Sequence, residues 1–214
     1  MYHSFGAQLA DRGFIVYAPQ NPYVGGETYR SLQRKANPVK QSLTGIAVGQ
    51  HQQLLTWLAG LSIVDSNRIA FYGLSYGGHA AMRIPALLDE YALSISSGNF
   101  TDWLREVSDT SFYTYLFDPV NYDMLEFNLG HTVNYAEMAG LIAPRPCMVE
   151  RGHHDGVAPD EHVAYEYAQV RRLYVDLGIP ERTEIEYFDG PHEIHGVGTF
   201  RFLHRELNWP EQAD

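Results

Sequence analysis

Apolar positions along the chain fall into two alternating periods. Residues 2–12 place Tyr2, Phe5 and Leu9 at helical spacing and stop at Gly13, a residue suited to the position just past a helix end. The run Phe14 to Ala18 follows, short and continuously apolar, and reads as a buried strand closed by Pro19. Residues 42–59 and the leucine just beyond set Leu43, Ile46, Leu54, Trp57, Leu58 and Leu61 on one side and Gln and His opposite, as an amphipathic helix requires. Further strands are predicted at Arg68–Tyr72, Tyr91–Ser96, Pro146–Glu150 and Glu184–Phe188. Further helices are predicted at His79–Leu88, Glu161–Leu177 and Gly196–Leu207. Strands alternating with helices in this way predict an α/β fold: a mostly parallel sheet covered by helices on both faces.

One stretch breaks the rhythm. Between Ser96 and Pro146 lie roughly fifty residues without a clean period, rich in aromatics that include Phe100, Trp103, Phe112, Tyr122 and Tyr135. Loops of that length in compact domains are usually functional, and residues 99–144 are expected to form a cap over a site. With no repeat, low-complexity tract or flexible linker, residues 1–214 read as one domain carrying that insertion.

Composition narrows the partners. The 214 residues carry 26 Asp and Glu against 15 Lys and Arg, a formal net charge of −11. Such a field disfavours nucleic acid and anionic membrane surfaces. Cys147 is the only cysteine, so no intramolecular disulfide can form. Met1 to Ala10 is interrupted by polar residues and lacks the apolar core of a signal peptide, and no segment is long and apolar enough to span a bilayer. A cytoplasmic protein is expected.

The strongest chemical signal is Gly73-Leu74-Ser75-Tyr76-Gly77-Gly78, a G-x-S-x-G between a predicted strand and a predicted helix. In that setting the serine sits on a tight, strained turn with its hydroxyl exposed, and side chains at the flanking glycines would clash. The helix N-terminus that follows, with the Tyr76 N–H foremost, is placed to stabilise an oxyanion. A Gly-rich turn capped by Ser75 is the bland alternative.

Serine needs a base, and the base a carboxylate to orient it. Gly152-His153-His154-Asp155-Gly156-Val157 follows one predicted strand and Asp189-Gly190-Pro191-His192-Glu193 the next, so three loops at one sheet edge offer Ser75, Asp155 and His192. Asp160 competes with Asp155 but reads as the N-cap of the next helix. His195 competes with His192 but lies three residues beyond the strand exit. His153 and His154 raise the possibility of a metal site; loop packing is the preferred reading, and no metal or organic cofactor is implied.

These segments, with Leu9-Ala10-Asp11-Arg12-Gly13-Phe14, Ala18-Pro19-Gln20 and Val64-Asp65-Ser66-Asn67-Arg68-Ile69, make the chain resemble the dienelactone hydrolase and acetyl xylan esterase-like branch of the α/β-hydrolases, which is also similar to the catalytic domain of prolyl oligopeptidases. The resemblance implies a serine esterase acting on a small-molecule carboxylic ester. Members of that fold carry three strands ahead of the helix matching Tyr2 to Arg12, and the third lies between the strands that match Phe14–Ala18 and Arg68–Tyr72. Without it, backbone groups of a central strand lack partners. Polypeptide upstream of Met1, closure of the strands, or pairing across a subunit interface would satisfy them. The last implies a homo-oligomer, at least a dimer. Tyr23 and Trp103 are expected to bind substrate. A serine aminopeptidase and a non-catalytic binding or assembly module remain the rival functions.

Overall fold

A computed structural model describes residues 1–20, 27–111 and 128–211, the side chains of residues 27–30 excepted. Among the described residues four strands, β1 (Ala70–Leu74), β2 (Leu93–Ser97), β3 (Cys147–Gly152) and β4 (Thr183–Phe188), form an all-parallel sheet in the order β1-β2-β3-β4. Phe71 lies opposite Ser94, Ser94 opposite Cys147 and Cys147 opposite Thr183, so the four strands end at one rim. Each parallel step needs a crossover, and α4 (Tyr76–Leu87) and α7 (Asp160–Asp176) supply the first and last of them. The α/β architecture read from the periodicity is the one observed.

Helices cover both faces. On one, α1 (Phe5–Asp11) and α8 (Val197–Glu206) pack Leu9, Phe200, Phe202 and Leu203 against Leu93, Ile95 and Met148. On the other, α4, α6 (Tyr135–Gly140) and α7 bury Met82, Tyr135, Ala139, Val163 and Tyr174 against Cys147 and Val149. The Cys147 thiol is fully buried here, which pushes its pKa up to about 12 and keeps it an apolar packing group. Also described are α2 (Glu27–Ala36), α3 (Leu43–Ala59) and α5 (Trp103–Ser108); α3 packs Leu55 beside Ile84, Leu88 and Tyr91. Among the described residues no helix is long and apolar enough to cross a membrane.

Phe14–Ala18 corrects the sequence reading. It is not a strand: Ile15, Val16 and Tyr17 are exposed, Phe14 packs its ring against His204 and Trp209, and Tyr17 meets Trp57. Apolar, β-branched residues favour a strand only where a neighbour completes the ladder, and among the described residues none does. β1 is correspondingly an edge. Ile69 accepts from the Ala92 N–H and the Ser75 N–H reaches Ser97, so odd-numbered residues face β2. By the alternation of a parallel strand, the backbone groups of Ala70, Tyr72 and Leu74 point outward.

The aromatic insertion is partly core. Its described portions contribute α5, a short 3-10 turn at Leu129–His131 and α6; residues 112–127 lie outside the described residues. Asp102 caps α5 by accepting from the Leu104 and Arg105 N–H groups, and Asn134 caps α6. Asn134 Nδ2 also donates to Asp102 and to Glu166 of α7, while Glu166 accepts from the Ala136 N–H at 2.9 Å. One polar knot thus ties both ends of the insertion to α7.

That knot has a titratable centre. Burial pushes the Glu166 carboxyl up to about 7, opposed by the Ala136 N–H and assisted by the like charges of Asp102 and Glu137. The folded state then holds this proton more tightly than the unfolded chain, so its contribution to stability declines as pH rises from about 4.5 to about 7. Glu166→Gln is expected to flatten the fall in melting temperature between pH 5 and pH 8 and to raise the melting temperature at the upper end. Calorimetry of the two proteins across that range checks it.

Candidate active site

Ser75 occupies the sharp turn between β1 and α4 with φ 60° and ψ −118°, a backbone conformation that L-residues seldom adopt. Two backbone hydrogen bonds hold it there: its N–H donates to Ser97 at 2.9 Å, and its carbonyl accepts from the His79 N–H at 2.8 Å. Tyr76 is the first residue of α4, so its N–H lies at the electropositive end of that helix, directly beyond the serine.

The glycines of the motif are not equivalent. A Cβ on Gly73 would stand 2.4 Å from the Gly77 carbonyl carbon, and one on Gly78 would stand 2.4 Å from the Ser97 oxygen. A Cβ on Gly77 would meet nothing within 4 Å. The expectation of a clash on both sides of the serine therefore holds, at Gly73 before it and at Gly78 after it, while Gly77 opens outward and is not crowded.

Asp155 leaves the end of β3 and is buried. Its Oδ1 accepts from the Val157 N–H at 2.9 Å, and its Oδ2 lies 2.8 Å from His192 Nδ1. Arg151, itself only 3% exposed, places Nη1 3.3 Å from Asp155 Oδ2 and donates from Nη2 to the carbonyls of Asp155 and Ala158. This buried cation offsets the burial of the carboxylate and ties down its loop. Since an ionised carboxylate can only accept, the proton between the two side chains is assigned to His192 Nδ1, leaving Nε2 as the basic nitrogen.

The acid and histidine loops are stitched together. His153 N–H donates to the Phe188 carbonyl at 2.9 Å and His154 N–H to that of Gly190 at 3.0 Å. The His192 ring lies over Gly98, where a Cβ would come within 2.8 Å of both Cε1 and Nδ1. Gly98 follows Ser97, whose carbonyl takes the Ser75 N–H, so serine and imidazole flank the same strand end. The Ser75 hydroxyl itself makes no hydrogen bond to a described residue in this structure.

The rivals are engaged elsewhere. Asp160 is the first residue of α7 and not its N-cap, which is Pro159; its carboxylate meets His153 Nδ1 at 2.5 Å and Arg151 Nε at 3.1 Å. His195 pairs with Glu186 at 3.0 Å and stacks on Phe188. His154 pairs with Asp189 at 2.9 Å. Among the described residues no three His, Cys, Asp or Glu side chains converge as metal ligands would. Trp103, expected to line a substrate pocket, is 2% exposed and packs in the core, with the Arg83 guanidinium 5.0 Å from its ring centroid; its aromatic surface is spent on holding α5 against α4. Tyr23 lies outside the described residues. Sequence reasoning missed Arg151 and Glu150, neighbours in β3 whose charged side chains are buried against the site loops.

Residues 2–211 match the prolyl oligopeptidase family. The chain belongs to that family. Solved structures share its α/β-hydrolase fold. A candidate acetyl xylan esterase from Bacteroides fragilis is 19% identical and superimposes with a TM-score of 0.68 over 86% of this chain and 49% of its own. A glucuronoyl esterase from Caldicellulosiruptor kristjansonii is 15% identical, with a TM-score of 0.62 over 80% of this chain and 52% of its own. An acylaminoacyl peptidase from Pyrococcus horikoshii is 17% identical, with a TM-score of 0.55 over 83% of this chain and 28% of its own. The chain thus spans about half the length of the two esterases and less of the peptidase. No curated protein sequence matches it significantly.

The unequal glycines give a direct test of the turn. Gly73→Ala is expected to lower stability by about 3 kcal/mol or to prevent folding, because backbone must move to admit the methyl group. Gly77→Ala is expected to fold with a change below about 1 kcal/mol. Urea denaturation of the purified variants reads both.

Proposed function

We propose that this chain is a serine hydrolase that cleaves a small-molecule carboxylic ester through an acyl-enzyme. Ser75 Oγ attacks the ester carbonyl while His192 Nε2 takes its proton, and a tetrahedral oxyanion forms against the Tyr76 N–H. Collapse expels the alcohol, protonated by the imidazolium, and leaves Ser75 acylated. Water, deprotonated by His192, then attacks the acyl carbonyl and releases the acid. Asp155 holds the imidazole in the tautomer that presents Nε2. The observation that carries this reading is the 2.8 Å Asp155–His192 pair lying over Gly98, beside a serine held at positive φ. The proton transfer requires a Ser75–His192 hydrogen bond, and such contacts often tighten only once substrate is bound.

Membership of the prolyl oligopeptidase family supports a second reading, a peptidase acting on an aminoacyl or acylaminoacyl bond through the same residues. Hydrolysis of a nitrophenyl acetate well above that of an aminoacyl anilide is expected; the reverse ratio favours the peptidase. A fluorophosphonate is expected to label Ser75 in the folded protein, and Ser75→Ala to lose labelling and at least about a thousandfold of kcat. Absence of labelling in a folded wild-type protein argues for a binding or assembly module instead.

The homo-oligomer belongs to the same proposal. Pairing of the outward backbone groups of Ala70, Tyr72 and Leu74 with another copy would close the edge of β1. Sedimentation is expected to give a dimer or larger species; a stable monomer argues against pairing between copies.

A further inference from the structure

Glu150, near the C-terminal end of β3, is 1% exposed and pairs with no cation among the described residues. Burial raises its carboxyl above the ordinary range, and the like charge of Glu186 adds to the shift. A carboxylate in such a place weakens a sheet unless its hydrogen bonds repay the desolvation. Those bonds come from four separate elements. Oε2 accepts from the Ser97 hydroxyl of β2 at 2.6 Å and from the Tyr72 hydroxyl of β1 at 3.2 Å. Oε1 accepts from the Gly196 N–H, at the end of the histidine loop, at 2.8 Å and from the Thr199 hydroxyl of α8 at 3.3 Å. The Tyr72 and Thr199 hydroxyl oxygens lie 3.0 Å apart, and since each carries one proton, a bond between them takes the place of one of their two bonds to Glu150.

The bonded groups lead to both reacting side chains. Ser97 is the residue whose carbonyl holds the Ser75 N–H, and Gly98, on which the His192 ring rests, donates its N–H to the Glu150 carbonyl at 3.1 Å. Gly196 closes the loop that begins at His192. An apolar residue would leave the Gly196 N–H and three hydroxyls without this acceptor and release the loop from the strand ends. Resting on the serine hydrolase reading above, we infer that Glu150 is a positioning residue: its carboxylate fixes the loop 192–196 against the ends of β1 and β2, and thereby sets the imidazole over Gly98 within reach of Ser75.

Glu150→Gln, Glu150→Met and Thr199→Val test this in the full chain. A glutamine can turn its oxygen to the Gly196 N–H and its amide to the Ser97 and Tyr72 hydroxyls, which can accept as well as donate. Glu150→Met is expected to lower kcat for the nitrophenyl ester by about tenfold or more with KM within about threefold, and Glu150→Gln to recover most of that loss. The low-field proton resonance of His192 Nδ1–H, bonded to Asp155, provides a readout independent of turnover. It is expected to broaden or shift in Glu150→Met and to stay in place in Glu150→Gln. If Glu150→Met does not fold, Thr199→Val, which deletes one hydroxyl at nearly constant shape, is expected to lower kcat about threefold and to move the same resonance. A folded Glu150→Met, or failing that a Thr199→Val, with wild-type kcat and an unmoved resonance overturns the inference. A wild-type protein that neither hydrolyses esters nor takes a fluorophosphonate at Ser75 counts against the hydrolase reading instead, and the resonance still decides the role of Glu150.

Discussion

In a parallel sheet all strands finish at one rim, and that constraint does more to build this site than any single contact. Ser75, Asp155 and His192 are separated by 80 and 37 positions along the chain, yet each follows the end of β1, β3 or β4. Between them lies the end of β2, with no candidate reacting side chain of its own. Its service is backbone: the Ser97 carbonyl for the Ser75 N–H, and the bare Cα of Gly98 under the imidazole. A side chain at Gly98 would push the histidine away, so a bare Cα sits where the imidazole crosses the end of β2.

Much of this was legible in the sequence because it rests on local rules. The four observed strands were bounded to within a few residues by apolar runs, and the long helices by their periodicity. His195 was set aside by its distance from a strand exit and Asp160 as a helix N-cap; Asp160 is instead the first residue of α7, and both rivals have other partners. What could not be read depends on neighbours distant in sequence. Phe14–Ala18 has strand-like residues, but a strand exists only where another backbone completes its hydrogen bonds. Glu150 and Arg151 sit in a strand as a polar pair that periodicity treats as noise; only the fold shows that both are buried and that one serves the acid loop and the other the histidine loop. The indifference of Gly77 was hidden for a related reason, since a motif gives spacing without saying which glycine is crowded.

The edge of β1 links fold and family. Its residues Ala70, Phe71 and Tyr72 are only partly buried, whereas β2 and β3 are buried throughout. The solved structures that share the fold extend well beyond the matched region. An open strand next to the nucleophile turn matters mechanically, because the geometry of Ser75 is imposed from β1 on one side and α4 on the other. A backbone pairing with Ala70, Tyr72 and Leu74 would stiffen the strand that delivers the serine without touching the reacting atoms.

Arg151 and Glu150 show two solutions to burying charge beside the same loops. Arg151 is matched by Asp155 and Asp160 and by two carbonyls; Glu150 is matched by hydroxyls and an amide. The difference bears on how Asp155 acts in the proposed reaction. A guanidinium nitrogen 3.3 Å from the same oxygen that faces His192 offsets part of that oxygen's charge, and Asp160 on the same guanidinium leaves the cluster net negative. The orientation of Asp155 is held as well: Oδ1 is fixed by the Val157 N–H and Oδ2 by Arg151, so the carboxylate cannot rotate away from Nδ1. In the proposed reaction Asp155 would therefore contribute by holding the tautomer and angle of the ring, the same kind of work inferred for Glu150 on the loop that carries that ring.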